Sequence, residues 1–152
     1  MIFFMACIIF FVTFNVSKGK VLIITNTETN KEWVLKVPEG NFTFSYVHSV
    51  HRTPVDEIFT VSDDNKLIME EVRFQSLGVG MPFTNEGGTF SIEDGKFILK
   101  FNREFTELHF RVSSIPQHNI KIGDKIYPLL IFTEPEQQIR IHADEKWYIA
   151  RD

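Results

Sequence analysis

Two ionisable side chains stand out where an alternating apolar pattern calls for apolar residues. In residues 42–59, His48 shares its strand face with three aromatic residues, and Glu57 shares its face with three apolar ones. A chain reversal centred on residues 51–52 would place Tyr46 opposite Glu57 and His48 opposite Val55. His48 and Glu57 would then be diagonal neighbours across two paired strands, and both would point inward.

An inward carboxylate needs a hydrogen-bond partner, a cation or access to water, because burying an unpaired charge is costly. Three interpretations stay open: a structural hydrogen bond that holds the hairpin register, a wet end of a barrel, or the mouth of a ligand or metal pocket. For the third, the candidate ligand-binding residues are His48, Ser49, Thr53, Glu57 and Glu71, and all of them except Ser49 are predicted to converge at one end of the domain. We assign no catalytic residue, and any bound metal is left unknown.

Composition excludes several classes of function. The chain has 152 residues, with 16 Lys and Arg against 20 Asp and Glu, a net charge of -4 and a pI near 5.7. This balance lacks the basic surface that nucleic-acid binding requires. Cys7 is the single cysteine, so neither an internal disulfide nor a Cys-rich zinc site can form. The sequence contains no cofactor-binding motif, and we expect no bound cofactor.

The elements that carry these residues are predicted to be β-strands. Short alternating runs rich in Val, Ile, Phe, Thr and Tyr are separated every eight to twelve residues or so by turn-forming residues. We predict an all-β, mostly antiparallel β-sandwich or partly open β-barrel with short connections. The predicted inward sets are Trp33, Leu35 and Val37; Phe42, Phe44 and Tyr46; Val55, Phe59 and Val61; Phe90 and Ile92; Phe97, Leu99 and Phe101; Leu108, Phe110 and Val112; and Ile139 and Ile141.

The N-terminal segment differs from the rest of the chain. Residues 1–16 contain no charged side chain and are mostly apolar. We interpret residues 1–19 as a signal peptide or short membrane anchor, and residues 20–152 as one domain exported to the outer face of the cytoplasmic membrane or the extracytoplasmic space. A buried N-terminal β-strand is the alternative. Taken alone, Lys18 and Lys20 would favour a cytoplasmic position for the residues that follow the segment, because positively charged flanks tend to stay inside.

Three stretches carry a resemblance to a known family. Residues 48–59 read His-Ser-Val-x-x-Thr-Pro-Val-x-Glu-x-Phe, residues 71–82 contain Gly-Val-Gly-Met-Pro, and residues 118–123 read His-Asn-Ile-Lys-Ile-Gly. Together they resemble the bacterial and archaeal family of unknown function called DUF1850. Two positions depart from its pattern: His51, where an acidic residue is common, and Val79, where alanine is usual.

The resemblance implies an N-terminal signal or anchor and genes that often lie beside TRAP transporters of the TAXI class, which take up organic acids. We therefore expect a non-enzymatic extracytoplasmic binding or accessory module for such uptake. Its expected partner is a TRAP-TAXI component or a small organic acid, and it would contact the membrane through an uncleaved N-terminal segment. The alternatives are a metal-dependent or hydrolytic enzyme using His48 and Glu57, and a structural envelope domain.

Overall fold

Strands dominate the computed structural model, which describes residues 15–76 and 88–150. These two ranges contain eleven strands: β1 (Asn15–Asn26), β2 (Glu32–Lys36), β3 (Asn41–Val47), β4 (Pro54–Val61), β5 (Leu67–Phe74), β6 (Thr89–Glu93), β7 (Lys96–Phe105), β8 (Glu107–Arg111), β9 (Asn119–Ile122), β10 (Lys125–Pro128) and β11 (Gln138–Ala150). A 3-10 turn, Leu129–Ile131, precedes β11. The prediction of an all-β fold is confirmed.

The strands form two antiparallel sheets of unequal width. The narrow sheet has four strands in the order β2-β1-β11-β8, and the wide sheet has seven in the order β10-β9-β3-β4-β5-β7-β6. In the part of the chain that the structure describes, both sheets are open, which makes the fold a sandwich and not a barrel. The first and last described strands, β1 and β11, pair along their whole length in the middle of the narrow sheet.

The main hydrophobic core lies between the two sheets, and strand alternation explains its membership. The rings of Phe42 and Phe59 stack there with centroids 5.0 Å apart. Each large buried side chain stabilises the fold by roughly 1.5 to 3 kcal/mol. The buried members are Leu22, Ile24, Leu35, Val37, Phe42, Phe44, Phe59, Val61, Leu67, Val112, Ile120, Ile122, Leu129, Phe132, Ile139, Ile141 and Ala143.

One predicted inward pair was wrong. Phe90 and Ile92 are 47% and 64% exposed. Both lie on β6, which forms one edge of the wide sheet. Alternation correctly separates the two faces of β6, but it does not reveal that an edge strand has a neighbour on one side only. The predicted inward face of β6 is therefore largely open to solvent.

Lys20 ties the two sheets together at one end of the sandwich. It lies on β1, two residues before the buried Leu22, and its side chain is only 16% exposed. The ammonium group donates hydrogen bonds to the carbonyl oxygen of Ser62 at 3.0 Å and to Oδ1 of Asn65 at 3.1 Å. Both acceptors belong to the turn between β4 and β5, so a cation from the narrow sheet secures a turn of the wide sheet.

Some sequence predictions concern residues outside the described ranges. Cys7, most of the apolar N-terminal segment, and the Gly-Val-Gly-Met-Pro stretch that contributes to the family resemblance are among them. Strand β1 begins at Asn15 and so crosses the boundary predicted after Gly19. No helix in residues 15–76 and 88–150 has the length and apolar character needed to cross a membrane.

Lys20→Met is expected to lower the free energy of unfolding by about 1.5 to 3 kcal/mol, because hydrogen bonds to a largely buried cation are lost while its methylene chain is kept. Lys18→Met is the matched control, since Lys18 lies two residues earlier on the same strand face and pairs with Glu145 at the surface. Urea unfolding should show a clear shift of midpoint for the first variant and almost none for the second. Equal shifts would contradict the proposed role of Lys20.

Candidate functional site

The β3–β4 hairpin differs from the predicted register by two residues. Glu57 pairs with Phe44, and Tyr46 pairs with Val55. The prediction that Tyr46 lies opposite Glu57 was therefore wrong. The chain reverses within residues 49–52, and Arg52 at the end of the turn adopts a left-handed conformation with φ of 53°.

The shifted register gives His48 a different neighbourhood from the predicted one. The His48 amide donates to the carbonyl oxygen of Thr53 at 2.9 Å, which closes the turn. Its Nδ1 accepts the amide hydrogens of Val50 and His51, both at 3.3 Å. His48 thus acts as an acceptor for turn amides, and the diagonal neighbour of Glu57 is Tyr46 instead.

The other predicted site residues lie in separate environments. Ser49 is exposed in the turn, and the Thr53 hydroxyl lies 3.1 Å from the hydroxyl of Ser76. Glu71 pairs with Ile58 in the β4–β5 ladder, whereas Glu57 pairs with Val72, so the two carboxylates point to opposite faces of the wide sheet. Glu71 forms ion pairs with Arg73 and Lys100 on its own face. The predicted convergence of Glu71 with Glu57 is therefore not observed.

Tyr46 and Glu57 form a hydrogen-bonded polar pair on the inner face of the wide sheet. The Tyr46 hydroxyl donates to Oε1 of Glu57 at 3.3 Å. Burial raises the pKa of the Glu57 carboxyl above its ordinary value, and the hydrogen bond from Tyr46 offsets part of this rise. Burial, and then the charge and hydrogen bond of Glu57, raise the pKa of Tyr46 far above the physiological range. Tyr46 is therefore a permanent donor.

The pair faces a cleft of about 390 Å³, which we call the Tyr46–Glu57 cleft. The cleft opens between β8, an edge strand of the narrow sheet, and the inner face of the wide sheet. Its walls are mostly aromatic and apolar, with a few polar groups. The lining residues are Phe44, Tyr46, Glu57, Met69, Phe105, Glu107, Leu108, His109, Phe110 and His118.

His118 packs among the aromatic rings of this cleft. Its ring stacks on Phe44, with centroids 5.6 Å apart and an interplanar angle of 23°, and meets Phe110 edge-on at 5.6 Å. Its Nδ1 accepts a long hydrogen bond of 3.5 Å from the amide of Ser113. Burial lowers the pKa of His118, which favours the neutral imidazole.

Sequence reasoning did not assign His118 to the site. It lies just before β9, outside any strand, so alternation gave no orientation for its side chain. Glu107 and His109 are also part of the lining; their position on an outward face of β8 gave no indication that this strand borders a cleft. Among the described residues, no three His, Cys, Asp or Glu side chains form a group that could hold a metal ion.

The residues that line the cleft all lie in a part of the chain that matches a known family. A family model described as "Domain of unknown function (DUF1850)" matches residues 42–129, more than half of the chain. All ten lining residues fall within that range. No curated protein and no solved structure matches the chain.

Glu57→Gln should make stability less dependent on pH. Because the native pKa of Glu57 is raised above the unfolded value of about 4.3, the native state holds this proton while the unfolded state releases it. The contribution of protonated Glu57 to the free energy of unfolding is thus fully present below its pKa in the unfolded state. This contribution is lost as the pH rises through its pKa in the native state. Glutamine stays neutral throughout, so the variant should gain stability relative to the wild type between pH 4 and pH 8.

Urea unfolding of both proteins at the two pH values measures this gain. Glu70→Gln is the matched control, because Glu70 is an exposed carboxylate that accepts a hydrogen bond from Thr60 in the same sheet. Its difference from the wild type should be the same at both pH values. A difference for Glu57→Gln that is equally independent of pH would contradict a raised pKa at Glu57.

Proposed function

The chain belongs to the DUF1850 family, and we propose that it is a non-enzymatic binding module that holds a small molecule in the Tyr46–Glu57 cleft. The observation that carries this proposal is a hydrogen-bonded polar pair inside an aromatic cleft. Small-molecule sites are typically apolar cavities of several hundred Å³ in which a few polar groups orient the ligand. The cleft has this size and this composition.

Glu57 leaves one oxygen for a ligand. Tyr46 donates to Oε1, and no hydrogen bond to Oε2 from the described residues is present. A ligand group that bonds Oε2 would replace the water that burial removes, and the aromatic walls would cover the rest of the molecule. Tyr46 holds the carboxyl in position across the hairpin, so the polar end of the cleft is organised before a ligand arrives.

The geometry favours binding over the enzyme alternative that used His48 and Glu57. The Nδ1 atom of His48 is bonded to the amides of its own turn. Because Nδ1 accepts these two hydrogens, the neutral imidazole carries its proton on Nε2, and neither ring nitrogen has a free lone pair for a general base or a metal ligand. Tyr46, the observed partner of Glu57, retains its proton and supplies a hydrogen bond for positioning.

We also propose that the module lies outside the cytoplasm and serves solute uptake of the TRAP-TAXI type. Support comes from the resemblance and from the apolar, uncharged residues 1–16, which would act as a signal peptide or anchor. A transporter component is the proposed protein partner. The small organic acid expected from the same resemblance stays a prediction, and the ligand screen below includes it.

A thermal-shift screen of the 152-residue chain against small organic acids, amines and neutral aromatic compounds tests the binding proposal. At least one class is expected to raise the melting temperature, since a ligand at a hundred times its Kd adds about 2.7 kcal/mol to stability. Leu108→Trp, which fills the cleft, should abolish the shift. Ile92→Trp, which places the same indole on an exposed strand edge, should retain it.

Two outcomes would contradict the proposal. One is that no compound raises the melting temperature of the wild type. The other is that the rise persists undiminished in Leu108→Trp, provided that circular dichroism shows this variant to be folded.

A further inference from the structure

We propose that the ligand of the Tyr46–Glu57 cleft is an organic cation, with a protonated amine at Glu57 and an apolar body against the aromatic walls. This inference rests on the proposed function, because it names the chemical class of ligand that the same cleft would take. It differs from the small organic acid that the resemblance predicts.

The charges of the cleft favour a cation. Glu57 and Glu107 contribute carboxylates, and none of the described lining residues is Lys or Arg. The only basic side chains in the lining are imidazoles. His109 is bonded to Glu107 through Nε2 at 2.7 Å, and His118 is buried against Phe44. A carboxylate ligand would therefore meet like charge in a lining that contains no Lys or Arg, and this arrangement is unfavourable. Two guanidinium groups border the lining: Arg140 pairs with Glu107 at 3.8 Å, and Arg103 lies over the ring of Phe105.

The aromatic walls supply a second attraction for a cation. Positive groups bind over the faces of aromatic rings, and this attraction strengthens when the site is shielded from water. Within this lining, Phe105 makes a contact of this kind, because the guanidinium group of Arg103 lies 5.4 Å from its ring centroid. Phe44 on β3 and Phe110 on β8 also line the cleft, with their ring centroids 4.8 Å apart.

Glu57 gives the amine its specific contact. An ammonium group has several donors, and one of them can bond the Oε2 atom that Tyr46 leaves unused. Such a charge-assisted pair is favoured by the low polarity of the surrounding rings. The apolar part of the ligand would then lie against Met69, Leu108 and the phenylalanine rings, where it displaces water.

Binding should depend on pH through Glu57. Tyr46 on β3 is bonded to this carboxyl. The other charged or titratable groups in or beside the cleft are Arg103 on β7, Glu107 and His109 on β8, Arg140 on β11, and His118 before β9. A cation stabilises the ionised form of Glu57, so binding expels the proton that burial retains. Affinity for a cation should rise with pH below the pKa of the amine, whereas affinity for a carboxylate ligand should fall.

Three probes with one benzyl body separate the charge classes: benzylammonium, benzyl alcohol and phenylacetate. Their affinities for the 152-residue chain are measured by NMR titration of backbone amides at pH 7.5. Benzylammonium is expected to bind about tenfold more tightly than benzyl alcohol, from its ion pair with Glu57 and its contact with aromatic rings. Phenylacetate should bind more weakly than both.

Substitution of Glu57 tests the contact directly. Glu57→Gln should remove most of the roughly tenfold preference for benzylammonium, because the ion pair is lost while the aromatic contact remains. Its effect on benzyl alcohol should be smaller, because the glutamine amide still offers a hydrogen-bond acceptor. Glu70→Gln, which removes an exposed carboxylate of the same sheet, should behave as the wild type with all three probes.

Two results would overturn the ligand class while supporting a binding cleft: tighter binding of phenylacetate than of benzylammonium at cleft amides, or a preference for benzylammonium that survives Glu57→Gln undiminished. Failure of all three probes to shift cleft amides would also overturn it. The proposed function fails separately, when no compound in the broader thermal screen gives a shift that Leu108→Trp abolishes.

Discussion

The two sheets have unequal widths, and the site depends on this constraint. Four strands do not extend over the whole inner face of seven, so the main core lies over part of it and the cleft opens beside β8. A second buried cluster of Val55, Val72, Phe74 and Leu99 occupies another part of the same face. At the border beside β8, the inner face of the wide sheet changes from packed core to cleft. Phe44 belongs to both environments, because it is a buried core residue and also lines the cleft. The same packing that stabilises the fold therefore builds one wall of the site.

Placing Glu57 at this border makes its carboxyl unusual. On the outer face, Glu71 forms ion pairs with Arg73 and Lys100 and contributes to an ordinary charged surface. On the inner face, the nearest partner of Glu57 is a hydroxyl that cannot neutralise charge. Removing this carboxylate from water without an opposite charge destabilises the fold. Water in the cleft reduces this penalty, and a cationic ligand would reduce it further. A glutamate whose burial costs stability at this position is consistent with the proposed binding role.

Strand alternation in the sequence was enough to predict the two faces of most strands, the all-β class and the inward position of Glu57. It could not predict contacts that depend on backbone geometry or on the order of strands. The turn that sets the hairpin register ends with Arg52 in a left-handed conformation. Such a conformation is usually signalled by a glycine, and position 52 is an arginine. The open position of Phe90 follows from β6 being an edge strand, and the position of His118 follows from packing of a connection against the sheet. These are long-range consequences of assembly.

The pH titration of the Glu57 side-chain carboxyl carbon by NMR tests the central claim most directly, that a buried carboxyl held by Tyr46 forms the polar end of the cleft. The account predicts a titration midpoint above the ordinary value of about 4.3. It also predicts a still higher midpoint in Tyr46→Phe, because the hydrogen bond from Tyr46 lowers the pKa of Glu57. A midpoint at the ordinary value that does not change in Tyr46→Phe would contradict the account.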